Sequence, residues 1–258
     1  SIFRDGQIFF RPYGGLFRSA LRAFRHIFVQ NDSSRNLLKS IGIEQVSVAG
    51  DTRFDRVYEI AQQAKRLPEI ERFAADAPVF IAGSTWPPDE ELLVGLIERY
   101  PDVKFIVAPH EIDPARIEKF CERISRPALR YTQLTPQSDL AAAGVLFVDT
   151  IGILSSVYRY GRWGYIGGGF GAGIHNTLEA ATFGLPLAFG PRYGKFREAR
   201  DLVTLRGAAS IASAEELERW FAGLHDNPDA TGRSGTICKE YVLQHKGATA
   251  RIMDEICR

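Results

Sequence analysis

The stretch Gly167-Gly168-Gly169-Phe170-Gly171-Ala172-Gly173-Ile174-His175-Asn176-Thr177-Leu178-Glu179 concentrates the chemistry of this chain. Its five glycines let backbone amides approach a ligand closely. Asn176 suits a helix N-cap, and a helix starting there would present free N–H groups and a favourable dipole to a phosphate. Glu179, in the first turn, is placed to accept hydrogen bonds from sugar hydroxyls. The bland reading is a glycine-rich turn closed by an Asn cap and a dipole-stabilising Glu, and the glycine density weighs against it. Gly167-x-Gly169-x-x-Ala172 is a loose dinucleotide fingerprint, but no acid stands near position 190 to hold a ribose, which disfavours an NAD dehydrogenase. His175 and Glu179 share i, i+4 spacing without a third metal ligand, so no metal is expected.

Other segments repeat the pattern of an apolar run followed by polar or small residues. Gly83-Ser84-Thr85-Trp86-Pro87 puts two hydroxyls and a glycine ahead of a helix start, fit for an anion or sugar and equally for a plain capping turn. Pro109-His110-Glu111 offers an imidazole to a phosphate or a base, although a lone His at a strand end is more often structural. Asp149-Thr150-Ile151-Gly152-Ile153-Leu154 offers an N-cap at Asp149 and the amides of 151–153. Arg53, within Gly50-Asp51-Thr52-Arg53-Phe54-Asp55, could neutralise a leaving phosphate or simply pair with Asp51 or Asp55. Gly190-Pro191-Arg192-Tyr193-Gly194-Lys195 adds cations around a turn. No nucleophile elbow, Walker loop or zinc pattern is present.

These segments need a scaffold that aligns them. Strand patterns fall at 27–29, 46–49, 79–82, 104–108, 145–149, 163–167, 186–189 and 209–211. Helical patterns fall at 33–41, 54–66, 89–100, 114–124, 151–158, 176–183, 195–205, 214–224 and 235–256. Strands alternating with helices predict an α/β fold with a parallel sheet covered on both faces. Ligands of such sheets bind beyond the carboxyl ends of the strands, which is where all these segments lie. A boundary is expected near Gly50, giving residues 1–50 as part of one α/β unit and 51–258 as a complete second one.

The length of 258 residues and a 45% hydrophobic content support a sizeable core and exclude a disordered or disulfide-built chain. A net charge of +1 argues against a general nucleic-acid binder. The first 28 residues are locally basic, with Arg4, Arg11, Arg18, Arg22 and Arg25 against Asp5. There, Phe17, Ala20, Leu21, Phe24, Ile27 and Phe28 follow helical spacing over 16–28. That face suits a membrane surface or a packing partner elsewhere in the protein. Cys121, Cys238 and Cys257 form no C-x-x-C pair and read as free thiols of a reducing compartment. No apolar run reaches the ~18 residues of a membrane span, and no signal peptide is visible. The chain opens on Ser-Ile-Phe rather than Met and is expected to be a piece of something longer.

Taken together, the segments resemble the 3-deoxy-D-manno-octulosonic acid (Kdo) transferase family of lipopolysaccharide synthesis. The resemblance is carried, in family order, by Gly50-Asp51-Thr52-Arg53-Phe54-Asp55, Gly83-Ser84-Thr85, Ala108-Pro109-His110-Glu111, Asp149-Thr150-x-Gly152-x-Leu154, the 167–179 stretch and Phe189-Gly190-Pro191 with Lys195-Phe196. Details at 11–15 and 193–199 look like the Bacteroidetes branch. The resemblance implies a GT-B glycosyltransferase, here the C-terminal Rossmann-like donor-binding domain with a remnant of the N-terminal acceptor domain. It implies a CMP-Kdo donor, a lipid A precursor as acceptor, no cofactor or catalytic metal, and a peripheral place on the cytoplasmic face of the inner membrane. Ser84, Thr85, Pro109, His110, Ile151, Gly152, Ile153, Gly168, Gly169, Asn176, Thr177, Leu178 and Glu179 are expected at the donor nucleotide. Arg53 holds the family's basic position for the transition state; some members have Lys there, with the same charge but different geometry. The missing N-terminal half would carry the catalytic base, acceptor pocket and membrane anchor, so the chain is expected to be inactive alone. A GT-B enzyme using a UDP-sugar, or a non-catalytic nucleotide-binding module, are the alternatives.

Overall fold

A computed structural model describes residues 1–257. The first elements are α1 (Gly15–Arg22), β1 (Ile27–Val29), α2 (Asp32–Ser40), β2 (Val46–Val48), α3 (Thr52–Gln62), α4 (Pro68–Ala74), β3 (Val79–Thr85), α5 (Pro87–Arg99), β4 (Lys104–Pro109) and α6 (Pro114–Cys121). They are followed by β5 (Ala128–Arg130), β6 (Val145–Phe147), α7 (Leu154–Val157), β7 (Trp163–Ile166), α8 (Leu178–Thr182), β8 (Leu187–Phe189), α9 (Arg197–Leu205), β9 (Ala208–Ser210), α10 (Ala214–His225), α11 (Pro228–His245) and α12 (Ala248–Ile256). Two compact units form, one from 1–59 with 243–257 and one from Ile60–Val242. The last helix therefore belongs with the first stretch of chain, where the sequence division at residue 50 had left it with the second.

In the first unit β1 and β2 pair in parallel, Ile27 opposite Val46. Leu21, Ile27, Val29, Leu38, Ile43 and Val46 close a small core with Phe3. Asn31 caps α2 by accepting from the Ser34 amide at 2.8 Å. The helical pattern read over 16–28 stops at Arg22, because Ile27–Val29 is drawn into the strand pair. Leu21 is buried, whereas Tyr13, Leu16 and Phe24 are exposed. The expected single helix over 235–256 is broken at Gly247, which lies at φ +105°. Asp55 closes that break. Its carboxylate accepts from the Gly247 amide and from the amide and hydroxyl of Thr249 at 3.0 and 3.1 Å. Burial opposes the charge on Asp55, but these donors outweigh it and hold the carboxyl below its usual range.

The second unit is built on seven parallel strands in the order β5-β6-β4-β3-β7-β8-β9. Its interior strands are apolar on both faces, as at Phe105, Ile106 and Val107, so helices must cover both sides. Phe80, Phe105, Phe147, Trp163 and Phe221 fill one layer between sheet and helices. The Trp163 indole N–H is satisfied by the Thr231 hydroxyl at 3.0 Å. From β3 the chain builds outward through β4 and β6, then returns to lay β7 on the other side of β3. The crevice where the direction of winding reverses is therefore at the carboxyl ends of β3 and β7. All eight expected strands form. β5 and α4 had no expectation. No helix among the described residues is long and apolar enough to cross a membrane.

Candidate functional site

The ends of β3 and β7 meet backbone to backbone. Gly167 donates its N–H to the Gly83 carbonyl at 2.9 Å. A Cβ on Gly167 would fall 2.1 Å from the Ser84 carbonyl oxygen, and one on Gly169 2.5 Å from the Gly190 Cα. These glycines thus serve the approach of neighbouring strand ends, not only that of a ligand. Gly168, at φ +93°, needs the left-handed region that glycine allows. Ser84 also sits at positive φ (55°), just where β3 slips register against β4. Such a strained non-glycine residue at a strand end marks a place where the surroundings dictate the backbone.

Beneath this junction lies Asp89, fully buried in the first turn of α5. One carboxylate oxygen accepts from the Tyr165 hydroxyl at 2.7 Å; the other accepts from the amides of Trp86 and Gly168, both at 2.9 Å. A single side chain thereby ties the end of β3, the end of β7 and the glycine loop. Above it three rings stack. The His110 ring lies 4.8 Å from Trp86 (28° between planes) and 4.1 Å from His175 (24°). The Trp86 indole N–H also donates to His175 Nε2 at 3.0 Å.

Of the residues expected at a donor nucleotide, Ser84, His110, Gly168 and Gly169 converge at this junction. Asn176 and Glu179 follow directly on His175 and are joined to each other, Asn176 Nδ2 donating to Glu179 Oε1 at 2.9 Å. Asn176 Oδ1 accepts from Leu178 N at 3.1 Å, but the N-cap position belongs to Thr177, whose side chain makes no capping bond. The helix that follows is only Leu178–Thr182, so its dipole is much weaker than a long helix would supply. Ile151 and Gly152 are exposed in the loop before α7, with Gly152 at φ +90°, and Ile153 is half-buried. Four expected residues present no side chain to a ligand. Thr85 is fully buried and gives its hydroxyl to Glu90 at 2.9 Å. Glu90 in turn meets Arg116 at 3.3 Å, and burial raises its carboxyl despite that cation. Pro109, Thr177 and Leu178 are also buried.

Asp149 does not cap α7. It accepts from Arg130 Nε at 2.9 Å, from Thr132 N at 2.9 Å and from the Thr132 hydroxyl at 2.6 Å. Burial works against its charge, but these donors hold the carboxyl below the usual range. Its work is to anchor the segment after β5 against the end of β6. Arg53 lies in the first unit and grips Asp51 through Nε (2.9 Å) and Nη2 (2.7 Å), with half of its side chain exposed. Trp86 and Asp89 had no expected role, and His175 had been weighed only as a metal ligand. The signal for Asp89 was present: an acid three residues after the N-cap position, Trp86, stands where it can cap the helix it begins. No group of three or more His, Cys, Asp or Glu among the described residues could hold a metal ion.

No family model matches the chain. A curated protein named 3-deoxy-D-manno-octulosonic acid transferase, from Rickettsia bellii (strain RML369-C), is 26% identical over 248 residues, covering 93% of this chain and 58% of that protein. The chain is a relative of the Kdo transferases. It spans a little over half the length of the Rickettsia bellii Kdo transferase. Among solved structures, the C-terminal CMP-Kdo binding domain of WaaA from Acinetobacter baumannii matches with a TM-score of 0.60 and 22% identity, covering 74% of this chain and 99% of that domain. HepE from Anabaena, solved in complex with UDP, matches with a TM-score of 0.57 and 13% identity, covering 92% of this chain and 65% of HepE. These likenesses place the fold as α/β of the GT-B type, as the resemblance to Kdo transferases implied.

Proposed function

We propose that this chain is the donor-binding part of a Kdo transferase that moves Kdo from CMP-Kdo to a lipid A precursor. The observation that carries this reading is the relationship to a curated Kdo transferase across 93% of the chain. The geometry is in keeping with it. Asn176 and Glu179 stand beside the ring stack at the switch point of the sheet, where Glu179 can accept from ribose hydroxyls. In this reading Gly168, His110 and the exposed Ile151-Gly152 loop border the cytidine and its phosphate. The first unit is the remnant of an acceptor domain, and its exposed Tyr13, Leu16 and Phe24 among arginines suit the cytoplasmic face of the inner membrane.

In the transfer, the acceptor oxygen forms a bond to the anomeric carbon of Kdo as the bond from that carbon to the CMP phosphate breaks. The acceptor proton passes to a base, and no residue of this chain is assigned that role. CMP leaves with its electron pair on phosphate oxygen. Arg53 is proposed to stabilise that charge, its guanidinium held in direction by Asp51. In a full-length enzyme Arg53→Ala should lower kcat more than donor affinity. Unchanged kcat would remove Arg53 from the mechanism.

Calorimetric titration of the chain with CMP, and with UMP as control, tests the donor. CMP is expected to bind in preference to UMP. Glu179→Ala should weaken CMP about tenfold or more, the size of a lost hydrogen bond to a charged group. Equal binding of CMP and UMP would turn the reading toward a GT-B enzyme using a UDP-sugar.

A further inference from the structure

The contact between Trp86 and His175 has a chemical direction. An indole N–H can only donate. At 3.0 Å from it, His175 Nε2 must be the acceptor. The ring is then neutral and its one proton sits on Nδ1. Adding a proton at Nε2 would set N–H against N–H and leave the indole without a partner. The stacked His110 ring resists a cation from the other side, 4.1 Å away. Nδ1 has no partner among the described residues.

We propose that Trp86 is a positioning residue that locks His175 as the neutral Nδ1–H tautomer. The site thereby offers an anionic oxygen of its ligand a fixed hydrogen-bond donor in place of a titrating cation. The ligand half of this inference rests on the donor-site reading above, with the phosphate of CMP as the oxygen concerned. Nδ1–H is the minor tautomer of a free imidazole, so without the indole the ring would mostly present the wrong nitrogen. The titratable groups acting on His175 are His110, at the end of β4, and Asp89, on α5. Burial and His110 push the His175 imidazolium below the usual histidine range, against the pull of Asp89. His175 should therefore take up its second proton at lower pH than an ordinary histidine.

Two-bond ¹H–¹⁵N correlation spectra of the full chain read the tautomer directly, with His175→Gln supplying the assignment. The expected spectrum has a proton on Nδ1 and a bare Nε2 at about pH 8, where the ring is neutral. Trp86→Phe keeps a ring on His110 and removes only the donor. In that variant His175 should titrate at a higher pH as a mixture of tautomers. CMP affinity should fall about fivefold as the competent fraction drops to roughly a fifth. Three results would overturn the proposal: an Nε2–H ring in the unsubstituted chain, a His175 titration unmoved by Trp86→Phe, or a released tautomer with unchanged CMP affinity. The unsubstituted spectrum decides the lock even if the variant folds poorly. A locked ring in a chain that binds no CMP would instead count against the donor-site reading.

Discussion

Replacing Asp89 with Ala should lower the thermal midpoint of the chain by about 10 °C and abolish measurable nucleotide binding. The carboxylate is fully buried, and three donors converge on it: the Tyr165 hydroxyl and the amides of Trp86 and Gly168. Truncation orphans all three inside the fold, at a cost of about 3–5 kcal/mol, the range for breaking a buried charged network. In a unit of this size each kcal/mol is worth about 2–4 °C. Burial already pushes the Tyr165 phenol up, so it cannot relieve the loss by ionising. Asp89→Asn separates shape from chemistry. An amide has the same outline but one acceptor oxygen: with that oxygen on the Trp86 and Gly168 amides, its NH2 donates to the Tyr165 hydroxyl, and the charge-assisted strength of all three bonds is lost. The Asn variant should therefore recover only part of the stability. A thermal melt showing Asn equal to Asp would mean that Asp89 only fills space.

The second large effect is expected from Gly167→Ala. The new methyl would lie 2.1 Å from the Ser84 carbonyl oxygen and 2.7 Å from the Thr85 Cα. Both obstacles are main chain, and Gly167 also donates to Gly83 across the same gap. Relief must separate β3 from β7 at the switch point, so the cost should exceed about 3 kcal/mol, at or beyond the upper end of ordinary overpacking. Gly171→Ala is the matched control. Its Cβ would meet nothing closer than the Gly168 carbonyl at 3.6 Å, and the change should stay within about 0.5 kcal/mol. Denaturant unfolding of both variants decides the matter. Equal stabilities would mean that the crevice is looser than these distances imply.

What the sequence disclosed follows from how local each signal is. The interior strands carry unbroken apolar runs, so β3, β4, β6 and β7 were legible. β5 was not, since its three residues are only half-buried and form no apolar run. Helix α4 was hidden because its Leu67-Pro68 start reads as the end of something else. The break before α12 depends on Asp55, 192 residues away in sequence, and no local pattern announces it. At the site the same division holds. The glycine run and His110 were readable from their place after strands. Thr85 was misread because a hydroxyl at a strand end looks the same whether it faces a ligand or a buried partner, and Asp149, expected to cap α7, turns instead to Arg130 and Thr132. Asp89 resembles any acid opening a surface helix. Its importance comes from Tyr165 and Gly168, which only the closed sheet brings to it.

The clasp between Asp55 and the start of α12 also sets a long loop to close. Gly247 must find a carboxylate 192 residues away, and Thr249 the same one, with the intervening chain looped out between them. The seven-stranded unit has all its strands within residues 60–242 and can fold as a domain on its own contacts. The first unit, although made first, cannot be completed until the last helix arrives. The protein is thus a domain inserted into another, and the host must wait for its guest.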